Sequence, residues 1–177
     1  MGNQSIAAGV TLVLGGARSG KSRYAETLVT SLPRPWLYIA TAEALDDEMA
    51  ARIATHRARR SAAWQTVEAP INLAEALVGA PKGATVMVDC LTLWLSNLMT
   101  ADGAIDREIT NLEKTLANRS SRTVLVSNEV GFGIVPDNAL ARRFRDRQGL
   151  LNQAIAARAS RVVMMVAGLP MILKDNK

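Results

Sequence analysis

Gly15, Gly20, Lys21 and Ser22 are spaced as G-x-x-x-x-G-K-[ST] within the run Gly15, Gly16, Ala17, Arg18, Ser19, Gly20, Lys21 and Ser22. That pattern suits one task. Glycines let the chain curl until successive backbone N–H groups converge on a single anion. A helix beginning near Lys21 aims the positive end of its dipole at the same place. The Lys21 ammonium can then reach the β- and γ-phosphates of ATP or GTP, and the Ser22 hydroxyl can coordinate Mg²⁺. A chance match has no reason to fall between an apolar strand and a helix, and this one does.

Two further residues have the chemistry to work beside such a loop. Asp89 ends the apolar run Thr85 to Val88. An acid there typically holds Mg²⁺ through water. It also suits the N-cap of a helix from Leu91 to Met99, and the two roles are compatible. His56 is the only histidine. On a helix, Arg52 and Arg60 lie four residues either side of it and Arg59 three away. These cations disfavour a charged imidazolium. By pattern alone, a histidine among arginines is a solvated helix face.

The elements that must position these residues alternate. Apolar runs at Val10–Leu14, Trp36–Ala40, Thr85–Val88, Thr123–Ser127 and Arg161–Val166 predict strands, with Trp64–Val67 a short one and Leu169–Leu173 a further candidate at the tail. Between them, Lys21–Ser31, Asp46–Arg60, Leu73–Val78, Leu91–Met99, Asp106–Asn118 and Leu140–Ala159 predict helices, the last open to interruption at Gly149. Continuous apolar strands without inside-outside alternation imply a parallel sheet covered on both faces. The expected class is a three-layer α/β fold of the P-loop, RecA-like kind, with a mostly parallel central sheet. No repeat or linker divides the 177 residues, so one domain over residues 1–177 is expected.

Composition narrows the setting. One cysteine, Cys90, allows neither an internal disulfide nor a multi-cysteine metal site, and a cytoplasmic protein is the simplest expectation. Met1 to Gly9 lacks the pattern of a signal peptide, and Ile6 stands where a myristoylation signal needs Ser or Thr. Val162–Leu173 is too short to span a bilayer. The net charge of +5 fits nucleic acid, a membrane surface or a phosphorylated small molecule. Arg142, Arg143, Arg145 and Arg147 form a basic cluster that can close over phosphates, stand as a solvated helix, or face nucleic acid. The last lacks an aromatic stacking platform.

Many unlike proteins share a phosphate loop. Regulatory GTPases read guanine with N-K-x-D, which has no internal match here. The strand at Thr123–Ser127 instead leads into N-E-V-G-F-G-I-V-P, residues 128–136. Asn128 and Glu129 follow that strand, where open α/β sheets place ligands, and can shape the substrate side. Together with G-G-A-R-S-G-K-S, Asp46-Asp47-Glu48-Met49, Arg52-Ile53 and His56-Arg57, this resembles the bifunctional adenosylcobinamide kinase / adenosylcobinamide-phosphate guanylyltransferase family. The resemblance runs from about Thr11 to Lys174. One departure is Asp89, where the family often has Glu.

The resemblance implies a two-step function. The hydroxyl of the aminopropanol arm of adenosylcobinamide is phosphorylated by ATP or GTP. GMP from GTP then passes through an enzyme histidine to the cobinamide phosphate, giving adenosyl-GDP-cobinamide and pyrophosphate. His56 matches the guanylylated histidine, and a neutral imidazole suits attack on the α-phosphorus. The same matching places Gly15 to Ser22, Ala40, Thr41, Ala42, Arg57, Ala58, Arg59, Arg60, Glu68 and Asp89 against GTP, with Lys21 catalytic and Ser22 and Asp89 toward Mg²⁺. Glu68 can accept hydrogen bonds from ribose or guanine. A homo-oligomer, a trimer, is implied, with neither nucleic acid nor membrane as partner. Two alternatives stay open: a plain small-metabolite kinase in which His56 does nothing covalent, and a RecA-like ATPase that binds nucleic acid or a partner protein.

Overall fold

The computed structural model describes residues 9–44, 46–101 and 103–176, without the side chains of Glu48, Arg52 and Arg59. The readings made on Met1 to Ala8, and on those Arg52 and Arg59 side chains, lie outside the described residues.

The first strand, β1 (Val10–Gly15), runs into the phosphate loop and helix α1 (Lys21–Thr30). There follow β2 (Trp36–Ala40), α2 (Asp47–Arg59), β3 (Trp64–Glu68), α3 (Leu73–Val78) and β4 (Thr85–Asp89). Next come α4 (Leu91–Thr100), α5 (Ile105–Asn118), β5 (Thr123–Asn128), α6 (Ala139–Arg158), β6 (Arg161–Val166) and β7 (Leu169–Asp175). All seven strands form one sheet in the order β3-β2-β4-β5-β1-β6-β7. Every pairing is parallel except β6 with β7.

The apolar strands are explained by two cores, one on each face. Leu12 and Leu14 of β1 pack with Trp94, Leu112 and Leu151 from the helices of one face. Val13, between them, packs with Ala25 and Val29 of α1 on the other. Successive side chains of a strand point to opposite faces, so a strand buried twice must be apolar throughout. The edges depart from this expectation. Residues 65–68 of β3 and 169–173 of β7 are exposed, because no helix packs closely over these two edge strands.

The tail strand is real but antiparallel. It returns through the two-residue turn Ala167-Gly168, both at positive φ, as a tight hairpin requires. Helix α6 runs through Gly149 without a break. A glycine there costs about 1 kcal/mol against alanine, and burial of Leu151 and Ile155 in the core offsets it. No helix among the described residues is long and apolar enough to cross a membrane.

Candidate functional site

A parallel sheet brings the carboxyl ends of its strands to one edge, and the candidate residues gather there. Gly15 ends β1, Ala40 β2, Glu68 β3 and Asp89 β4. Register sets Ala40 beside both Glu68 and Asp89. It sets Asn128, the end of β5, beside Gly15. β5 therefore stands between the phosphate-loop strand and the strand of Asp89. With strands about 4.8 Å apart, Asp89 belongs to the second strand out, roughly 10 Å across the sheet.

The loop has the form an anion seat needs. Gly20 sits at φ 94 as the N-cap of α1, in the left-handed region where glycine carries no steric penalty. At Gly15 a Cβ would stand 2.4 Å from Ser19 Oγ and 2.9 Å from the Met165 carbonyl, so only glycine fits. The Lys21 ammonium donates to the Gly16 carbonyl at 3.0 Å, folded back over the loop it serves. Ser19 Oγ is buried without a hydrogen-bond partner, a cost that a bound oxyanion would remove. The Ser22 side chain is half-buried in the first turn of α1, while Ala17 and Arg18 are exposed. The hairpin turn supports the loop from outside: Gly168 N–H donates to the Ser19 carbonyl at 3.2 Å.

Helix α2 brings the histidine to this edge. Asp46 caps it, accepting from the Met49 N–H at 2.7 Å. His56 Nδ1 lies 3.9 Å from Asp89 Oδ2, a carboxylate neighbour that the run of arginines along the helix did not announce. That same oxygen accepts from the Tyr38 hydroxyl at 3.1 Å. Burial, and after it the Asp89 carboxylate, push the Tyr38 phenol well above its ordinary range. The Arg60 guanidinium lies 3.6 Å over the Tyr38 ring, with Nη1 buried and lacking a hydrogen-bond partner. Arg57 pairs with Glu68. A cavity of about 360 Å³ opens there, lined by Arg57, Arg60, Ser61, Trp64, Thr66 and Glu68. Trp64 is thus both an edge of the core, 5.7 Å from Trp36, and a wall of this cavity.

Two expected contacts have other work. Thr41 is fully buried. Its hydroxyl donates to the Cys90 carbonyl and accepts from the Cys90 N–H, both at 2.7 Å, and its carbonyl accepts from Asn97. It ties the ends of β2 and β4 together, leaving Ala40 and Ala42 on either side. Three arginines of the basic cluster have partners within the chain. Arg142 donates to the Pro136 and Asp137 carbonyls, Arg145 pairs with Asp146, and Arg147 with Asp106. Tyr38 was not expected at the site. Its signal was a hydroxyl inside an otherwise apolar strand, which must find a partner when buried.

Among the described residues no group of three or more His, Cys, Asp or Glu could hold a metal ion. Ser22 and Asp89 offer hard oxygen donors, the kind Mg²⁺ takes when phosphates and water complete its shell.

Comparison with known proteins gives the family. Residues 11–173 match the family model described as cobinamide kinase / cobinamide phosphate guanyltransferase. The chain belongs to that family. It is 52% identical over 168 residues to the bifunctional adenosylcobalamin biosynthesis protein CobP of Pseudomonas aeruginosa, covering 93% of this chain and 97% of that one. It is 44% identical over 180 residues to the bifunctional adenosylcobalamin biosynthesis protein CobU of Salmonella typhimurium, covering 92% and 98%. Among solved structures it resembles the flagellar accessory protein FlaH from Methanocaldococcus jannaschii at TM-score 0.56 and 13% identity, covering 96% of this chain and 80% of that one. That likeness concerns the fold alone. The chain is a bifunctional cobinamide kinase and cobinamide-phosphate guanylyltransferase of adenosylcobalamin biosynthesis, on an α/β fold with a mostly parallel seven-stranded sheet.

Proposed function

We propose that both half-reactions share the strand ends, with His56 as the residue that carries GMP. The observation that supports this most is the placement of His56 3.9 Å from Asp89, at the edge where the phosphate loop also opens. In the transfer, a His56 nitrogen attacks the α-phosphorus of GTP and the bond to the bridging oxygen breaks, releasing pyrophosphate. A phosphate oxygen of cobinamide phosphate then attacks the same phosphorus, and the P–N bond breaks. Lys21 and the loop amides from Gly15 to Ser22 hold the phosphates, which lowers the cost of charge developing on them. Arg57, Ala58, Arg59 and Arg60 are assigned to the approach and Ala40 and Ala42 to its floor, with the buried Thr41 tying β2 to β4 beneath them. Glu68, on the cavity with Trp64, accepts hydrogen bonds from guanine or ribose. Ser22 and Asp89 are the residues to hold Mg²⁺, which when bound neutralises phosphate charge. ATP or GTP serves as phosphate donor.

The whole chain, residues 1–177, acts as one domain in the cytoplasm, as a homo-oligomer, a trimer, without nucleic acid or membrane. The exposed apolar strand β7 supports an oligomer. Incubation with α-³²P GTP tests the reading. The wild-type chain should acquire an acid-labile, alkali-stable label, and His56→Ala should abolish it while leaving some phosphorylation of cobinamide. Undiminished labelling of His56→Ala would sink the role of His56, and a plain kinase would then stand.

A further inference from the structure

The phosphate seat has a neighbour that the chemistry at His56 does not use. Glu129 directly follows β5, and its N–H donates to the Gly15 carbonyl at 3.1 Å. The residue before it is held from both sides. Asn128 N–H donates to Thr92 Oγ1 at 2.7 Å, and its carbonyl accepts from Asn152 Nδ2 at 3.0 Å. Asn152 Oδ1 in turn accepts from Ser127 Oγ and Gln148 Nε2, and Ser127, Gln148 and Asn152 are all buried. Hydrogen bonds in such low dielectric are strong and fix position. Glu129 is therefore held against the loop, with Oε1 accepting from the Gly131 N–H at 2.6 Å.

Beyond Glu129 the chain changes character. Phe132 is 85% exposed, Ile134 98% and Val135 63%. Three apolar side chains in four residues face solvent, directly continuous with the phosphate seat. The far end is pinned, by Arg142 on the Pro136 and Asp137 carbonyls and by the Asn138 cap of α6. A braced segment that shows apolar side chains to water is built for a partner with an apolar face.

We propose that residues 129–135 are the acceptor half of the kinase site. This rests on the reading of the chain as a cobinamide kinase. The acceptor is a methyl-bearing macrocycle with a hydroxyl-ended arm. Phe132, Ile134 and Val135 seat the ring, and the arm runs inward to the phosphates. The hydroxyl oxygen attacks the γ-phosphorus, the bond from γ-phosphorus to the bridging oxygen breaks, and the nucleoside diphosphate leaves. The hydroxyl proton passes to the Glu129 carboxylate.

Two variants of the full chain test this, because GMP labelling of His56 needs no cobinamide and reports the other half-reaction. Glu129→Gln should lower kcat for cobinamide phosphorylation by about 100-fold or more, the usual worth of a general base. Its KM and its GMP labelling should stay near wild type, and Glu129→Asp should recover part of kcat. Phe132→Ser with Ile134→Ser should raise KM for cobinamide by roughly tenfold or more, the scale of lost apolar contact, with labelling and mass in solution unchanged. Unchanged phosphorylation kinetics in both variants would overturn the proposal. So would loss of labelling in step with phosphorylation. A double variant that changes oligomeric mass rather than KM would assign the surface to a second copy. Absence of labelling in the wild-type chain strikes a different claim, the role of His56.

Discussion

Cys90 shows how position alone sets a residue's chemistry. It is buried directly after Asp89, and burial, and after it the Asp89 carboxylate, push its thiol from the ordinary 9.0 up to about 11. It therefore stays protonated and inert at neutral pH, since thiolate is the reactive form. The same shift is a statement about stability. Between about 9 and 11 the unfolded chain has released this proton while the folded chain keeps it. The unfolded state then binds fewer protons, so stability present below pH 9 is lost as pH rises through that window, by on the order of 2 kcal/mol. Tyr38, shifted in the same direction, adds to the fall. Urea melts from pH 8 to 11 should show declining stability, with a shallower decline in Cys90→Ala. An unchanged slope in that variant would show that Cys90 does not drive it.

Helix α2 is the element on which the transfer chemistry turns. None of its described residues is buried. It is attached by contacts at its carboxyl end, His56 toward Asp89, Arg57 to Glu68 and, just past it, Arg60 over Tyr38. Its inner stripe, Met49, Ile53 and His56, is only half-buried, and a helix seated so lightly takes less of its stability from the core and opens at lower free energy. Its amino-terminal cap should then matter more to chemistry than to global stability. Asp46→Ala removes a cap of about 1 kcal/mol, so the rate of GMP labelling at His56 should fall about fivefold. The thermal midpoint should move little, because the core is untouched. A large drop in midpoint without slower labelling would contradict this account of α2.

At the scale of the molecule, the sheet ends in an unsatisfied edge. β7 exposes Leu169, Met171, Ile172 and Leu173, each more than half exposed. Edge strands left open and apolar invite pairing with another chain, and native proteins usually blunt them with charge. The only described charges on this strand are Lys174 and Asp175, at its end. Ile172→Glu should shift the mass measured by light scattering from oligomer toward monomer while leaving the monomer folded by circular dichroism. An unaltered mass would place the subunit contact elsewhere. Because the Ala167-Gly168 turn bonds the phosphate loop, a contact at β7 would also brace the nucleotide seat.

Local chemistry carried much of this in advance. Gly15, Gly20, Lys21 and Ser22 announce a phosphate seat because the demands of that seat are local: glycine torsions, a helix start and one reaching cation. The strands announced themselves because burial on both faces forces continuous apolar runs. The family followed from motifs of the same local kind. What the chain order could not supply was who sits beside whom. Only the pairing of β5 between β1 and β4 put Asn128 and Glu129 next to Gly15, and set Asp89 one strand further out. Only folding brought Tyr38, His56 and Asp89 together from three separate elements, and turned the last strand antiparallel to leave an apolar edge. Such neighbours depend on long-range strand pairing, which leaves no trace in the spacing of residues along the chain.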